Sequence, residues 1–278
     1  MGAQRYAKLN QLERDLPEGL VVDAAWLSAK GYSTALRSKY VATGRLEQPV
    51  HSVYRRLRGS LGWEQVVISL QTLLAKPLVV GGRTALDLQG FAHYVKPTLR
   101  EVHLYGEEPP PGWLAKLKLC VAFHFHNSAR LFPAMPMPVA APNLGAFVSK
   151  TASDTDAHFT IQTWGQWDWP MILSTPERAL LELLDELPAR ESFHQVDMLM
   201  EGLVNLRPGR MQRLLTECES VKVKRLFFFF ADRHPHAWRK RLDAAAFDLG
   251  HGKRMLVRGG KLDKCYQITV PEDLNGVQ

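Results

Sequence analysis

The side chains that could do chemistry are few and scattered. His124 and His126 alternate in AFHFHN, so a strand would put both imidazoles on one face, as a two-histidine metal clamp needs. No third ligand follows at a recognisable spacing, and a partly exposed strand face is the simpler reading. His234 and His236 flank Pro235 and read as part of a turn. GGRTAL and GHGKR set glycines beside cations, but the phosphate-cradling Gly-x-x-x-x-Gly-Lys-Ser/Thr pattern is absent. Thr84 is expected to cap a helix, and GHGKR to form a turn before a final hairpin. A phosphate could still meet Lys253 or Arg254 there. Glu182, Asp185 and Glu186 fall on one helical stretch and read as a solvated face. Gly-x-Ser-x-Gly, His-Glu-x-x-His and a nuclease carboxylate–lysine set are all missing, so no catalysis, metal or cofactor is expected.

The other available chemistry is phosphate recognition by cations. Net charge is +7, distributed as +5 over residues 1–60, −3 over 61–189 and +5 over 190–278. Basic ends around an acidic middle favour a polyanionic partner. The first basic end contains KGYSTALRSKYVATGRL. Ser33 can cap a helix over 34–43 that Gly44 closes. Leu36 and Tyr40 share one face of that helix. Thr34, Ala35, Ser38, Lys39 and Ala42 form the other, with Arg37 on the flank. One packed face and one small, polar face is what entry into a major groove requires. The same pattern fits a short basic helix in an α+β domain.

The surrounding elements must hold this helix in place. Residues 4–16 have amphipathic spacing, and Pro17 and Gly19 end the pattern. Asp23 can cap AAWLSAK, closed by Gly31. RLEQ and SVYRR have β character and could form a two-stranded ribbon. Helix, tight turn, helix and ribbon is the winged helix-turn-helix plan, with Tyr32, Trp26 and Leu46 completing its core. Lys30, Ser33, Thr34, Arg37, Ser38, Lys39 and Arg45, with Arg55 and Arg56 on the wing, are the candidate DNA contacts. Double-stranded DNA is the expected partner.

Residues 61–278 are expected to form a larger mixed α+β region, with a change of character near 150–174. Before that change, GWEQVVISLQTLLAK reads as a helix, and PLVVGG, REVHLYG and KLCVAFHFH as strands. The prolines of 132–145 exclude regular structure throughout, and 147–173 reads as β. After it, Thr175 and Pro176 open a helix in STPERALLELLDEL, and two more helices follow. In KVKRLFFFFADRHPHAWRKRL, four consecutive phenylalanines require an element buried on both sides, or rings exposed to a partner. Lys222, Lys224, Arg225, Arg239, Lys240 and Arg241 would rim it; with Lys253 and Arg254, the arginines and Lys240 make a second candidate basic surface. A β-hairpin with Gly259-Gly260 and Asp263 at its turn ends the pattern. Three widely spaced cysteines, Cys120, Cys218 and Cys265, argue against a disulfide framework and for the cytoplasm. No apolar run approaches the ~20 residues of a membrane helix.

The segment VVDAAWLSAKGYSTALRSKYVATGRLEQPVHSVYRR resembles the N-terminal winged helix of the AbiEi antitoxins of type IV, abortive-infection toxin–antitoxin systems. GGRTALDLQGFAHYV, TPERALLELLDEL and LDAAAFDLGHGKRMLVRGGKLDKCYQITVP resemble later parts of that family, in the same order. The resemblance implies a bacterial autorepressor that binds inverted repeats in its operator through residues 1–60. It also implies a C-terminal region, 61–278, that counters a nucleotidyltransferase-type toxin without needing a stable complex. The family's wing usually carries a glycine before VYR, whereas this chain has PVHSVYRR. Two other readings stay open: a stand-alone winged-helix regulator with a ligand-sensing domain, and a nuclease or nucleotidyltransferase relative.

Overall fold

The computed structural model describes residues 2–91, 99–133 and 158–276. Its first unit is built from α1 (Gly2–Asp15), β1 (Val21–Asp23), α2 (Ala24–Ala29), α3 (Thr34–Ala42), β2 (Glu47–Val50) and β3 (Val53–Arg55). The three strands form an antiparallel sheet in the order β1-β3-β2, with Val22 opposite Tyr54. The sequence pattern anticipates the ribbon but not β1, whose three residues are too few to show alternation. α2 and α3 start where expected. Asp23 Oδ1 accepts from the Trp26 N–H at 2.8 Å, and Ser33 Oγ from the Leu36 N–H at 3.3 Å. Each side chain satisfies one of the orphan donors of a helix start.

The larger unit surrounds a five-stranded mixed sheet. It contains α4 (Trp63–Gln71), β4 (Leu78–Val80), α5 (Gly82–Leu88), β5 (Glu101–Gly106), β6 (Ala122–Asn127), β7 (Phe159–Trp164) and β8 (Trp169–Ser174). The sheet order is β6-β5-β4-β8-β7, with β5 parallel to β6 and β4 parallel to β8. Helices α6 (Pro176–Asp185), α7 (Phe193–Gly202), α8 (Pro208–Glu217) and α9 (Val221–Arg233) follow, and the hairpin β9 (Lys261–Asp263) and β10 (Ile268–Val270) comes after them. α6 packs against α5, α8, α9 and β8. α9 carries all four phenylalanines, Phe227 to Phe230, into the core, so its rings are buried rather than offered to a partner.

One buried apolar cluster runs from Leu12 through the winged unit into the sheet and helices. A polar side chain fastens the two units across it, with the Val21 N–H donating to Ser69 Oγ at 2.9 Å; within the larger unit Gln71 bridges Leu78 on β4 and Ile172 on β8.

Three local expectations need correction. Thr84 does not cap α5, which starts at Gly82; its hydroxyl instead accepts from the His103 N–H at 3.0 Å and ties the helix to β5. Glu182 is not solvated. It is fully buried, paired with buried Arg178 at 2.8 Å, and accepts the Gly82 N–H and the Ser174 hydroxyl. The final turn lies at 264–267, with β9 between it and the two glycines, and Asp263 Oδ1 accepts from the Tyr266 N–H at 2.6 Å. The proline-rich stretch from residue 134 onward, and the start of the β stretch expected over 147–173, lie outside the described residues.

Candidate nucleic-acid interface

The geometry of α3 follows from what its inner face touches. Tyr40 is buried, and its ring lies 6.4 Å from that of Tyr32. Both join Leu27, Leu46 and Val53 in the same buried cluster, while Leu36 and Trp26 pack against it half-buried. Gly31 and Gly44 adopt φ of +80° and +70°, the left-handed turns that stop α2 and α3. The outer face exposes Ser33, Thr34, Ala35, Ser38, Lys39 and Ala42, with Arg45 exposed just beyond the helix. Lys39 and Arg45 have no side-chain partner among the described residues. A convex face of small side chains between two uncommitted cations can approach a groove closely and meet phosphates at its edges.

Arg37 is not on that face. It is 7% exposed, and its guanidinium donates to the Ala24 carbonyl and Ser28 Oγ, each at 2.7 Å, and to Thr34 Oγ1 at 2.9 Å. It also lies 5.8 Å from the centre of the Tyr54 ring on β3. One side chain thus clamps α3 to α2 and to the wing. The signal was present in the spacing, because residue 37 precedes Tyr40 by three and so shares its inward face.

The wing cations are also committed. Arg55 is buried, bonded to Glu47 at 2.5 Å and to the Gly59 carbonyl at 2.9 Å. Arg56 donates to the carbonyls of Glu13 and Leu16 and to Glu18, each at 3.1 Å. Lys30 pairs with Asp15 at 3.1 Å and lies over the Trp26 ring. These groups are tied to partners within the module. The wing tip is a two-residue turn, His51-Ser52, between the paired Val50 and Val53. Ser52 takes the left-handed φ of +66° that a glycine would adopt freely, and its carbonyl accepts from the Ala24 N–H at 2.8 Å. His51 is exposed at the tip and was not among the residues chosen from the sequence.

The second basic surface divides in the same way. Arg225 is 2% exposed and donates to the carbonyls of Leu249, Gly252 and Gln267. GHGKR therefore turns the Gly252 carbonyl toward an arginine, and the Gly250 N–H is taken by Asp248. Arg239 is bound to Asp232 at 2.6 Å and covers the Phe228 ring. Lys240, Arg241, Lys253 and Arg254 are exposed, with no side-chain partner among the described residues.

The histidine pair acquires a neighbour that sequence spacing concealed. His103 on β5 stands opposite His124 on β6, and its Nδ1 lies 2.9 Å from His126 Nε2. Burial, with His126 and His124 beside it, pushes His103 down to about 4. Among the described residues no group of three or more His, Cys, Asp or Glu side chains is arranged to hold a metal ion. His234 bonds Asp197 and His236 bonds the Met200 carbonyl. No helix among the described residues is long and apolar enough to cross a membrane.

Residues 5–97 match the family described as transcriptional regulator, AbiEi antitoxin N-terminal domain. Residues 100–271 match the one described as transcriptional regulator, AbiEi antitoxin, type IV TA system. The crystal structure of the RV2827C protein from Mycobacterium tuberculosis is similar, with a TM-score of 0.55 and 16% identity over 94% of this chain and 88% of that one. At that identity the likeness concerns the fold. The search of curated proteins found no match.

Proposed function

The chain belongs to the AbiEi antitoxin family of type IV toxin–antitoxin transcriptional regulators, and from that premise we propose that it represses its own operon by binding inverted repeats through α3 and the wing. The observation that carries this reading is the outer face of α3: small side chains flanked by Lys39 and Arg45, on a helix locked from behind by Arg37. Ser33, Thr34 and Ser38 are the groups placed to reach base edges, and His51 extends the face at the wing tip. The protein acts in the cytoplasm and needs no cofactor. Residues 1–60 form the DNA-binding unit and 61–278 the antitoxin unit.

The C-terminal unit opposes a nucleotidyltransferase-type toxin. Its exposed Lys240, Arg241, Lys253 and Arg254 support a contact with nucleic acid during that action. Co-expression with the neighbouring gene, scored for growth, tests the antitoxin role, and a mobility shift on the upstream DNA tests repression. Rescue of growth together with a discrete shifted complex is expected. A toxic neighbour that is not rescued would remove the first role, and a shift no stronger than on unrelated DNA would remove the second. Charge reversal of Lys240 and Arg241 should weaken rescue with the fold intact; undiminished rescue would dismiss that surface.

A further inference from the structure

The parallel strands β5 and β6 end beside a cavity of about 310 Å³, closed on its other side by the end of α6 and the first turn of α9. In open α/β sheets, ligands bind beyond the carboxyl ends of the strands, and this volume suits a small molecule. The charged side chains around it are three cations, Arg130, Arg190 and Lys222, against two carboxylates, Asp185 and Glu186.

Most of the polar groups are committed within the protein. Lys222 Nζ gives its protons to the carbonyls of Asp185 and Leu187 and to the Asp185 carboxylate. His126 is used at both nitrogens, with Nδ1 at 2.9 Å from Glu186 and Nε2 at 2.9 Å from His103. Burial alone would raise the Glu186 carboxyl, but the hydrogen bond from His126 and the surrounding positive charges bring it below its ordinary value. What remains is mostly donors. Asn127 spends its carbonyl oxygen on the Ala129 N–H at 3.0 Å, which leaves its NH2 available. The Arg130 guanidinium has no partner among the described residues, and Arg190 reaches Glu186 only at 3.8 Å, beyond hydrogen-bonding distance. In the wall, Tyr105 is 3% exposed, its ring is stacked 4.6 Å from His126, and its hydroxyl has no hydrogen-bond partner among the described residues.

We propose that this cavity binds a small phosphorylated molecule, with the phosphate held by Arg130, Arg190 and the Asn127 amide and the organic part lying along Tyr105 and Phe125. Two guanidinium forks and an amide offer more donors than a carboxylate has oxygens to accept, whereas a terminal phosphate presents three. The site lies in the C-terminal unit, so it stands or falls independently of DNA binding by α3.

Calorimetric titration of the full chain with inorganic phosphate, adenosine 5′-monophosphate and adenosine tests it. The monophosphate should bind, phosphate should bind equally or more weakly, and adenosine should not bind. Arg130→Gln and Arg190→Gln should each weaken monophosphate binding about tenfold, as expected for a lost charge-assisted hydrogen bond. Lys264→Gln, on the exposed turn between β9 and β10, should leave it unchanged. Equal affinity for phosphate and monophosphate makes free phosphate the ligand and keeps the site. Adenosine binding as tightly as its monophosphate, parental affinity in both arginine variants, or no heat with any probe would overturn the proposal.

Discussion

The two ends of the chain carry the same net charge, +5 each, but they present it differently. At the N-terminal end the arginines Arg37, Arg55 and Arg56 are tied into the module, and the uncommitted Lys39 and Arg45 stand beside one regular helix. At the C-terminal end Arg225 and Arg239 are tied in, and the exposed cations stand on short turns and loops beyond α9. Equal charge is therefore displayed on the ordered face of one helix in one region and over a looser set of turns in the other. In both, cation identity says less about binding than which guanidiniums the fold has already used.

The largest effect that would break this comparison is expected at Arg225. Arg225→Ala leaves the carbonyls of Leu249 and Gly252 without their donor, while that of Gln267 keeps the Arg254 N–H, and should cost about 3 kcal/mol of stability in chemical denaturation. Lys253→Ala, exposed on the same surface, should stay within about 0.5 kcal/mol of the parent. Similar values for the two would show that the buried and exposed cations are not distinct classes.

Arg37→Ala should cost about 2 kcal/mol, because it frees α3 from α2 by removing the hydrogen bonds to the Ala24 carbonyl and to Ser28 Oγ. Its operator affinity should fall while the salt dependence of binding keeps the parental slope. A shallower slope would return Arg37 to the phosphate contacts.

A smaller loss, about 1 kcal/mol, is expected for Ser33→Ala, which removes the cap of α3. Thermal unfolding of the variant would detect it, and an unchanged midpoint would show that packing alone sets the start of α3. The smallest effect should have the opposite sign. Ser52→Gly relieves a left-handed serine at the wing tip and should stabilise the protein by about 0.5 kcal/mol. Destabilisation would mean that the Ser52 side chain contributes more than its backbone strain costs.

Much of the fold was legible because its signals are local. Asp23, Ser33 and Thr175 announce helix starts through side-chain caps, and the ribbon was readable from SVYRR. The failures share a cause, namely partners distant in sequence. β1 exists because β3 pairs with it. Glu182 is buried with Gly82, on a different helix, supplying one of its hydrogen bonds. Arg225 looks like a surface cation until the carbonyls it serves are known, whereas the inward position of Arg37 follows from its spacing to Tyr40. The candidate residues on the outer face of α3 are exposed as expected, but only part of the cation set is free of partners within the described residues. The cavity beside β5 and β6 was unreadable, since its walls come from four separate segments.

The central claim is that α3 meets DNA phosphates through Lys39 and Arg45. Titration of the inverted-repeat operator at several salt concentrations, with the parent and with Lys39→Ala/Arg45→Ala, tests it most directly. Losing two phosphate contacts should make the log–log salt slope shallower by about 1.8, with stability unchanged. An identical slope in a folded double variant would contradict the account.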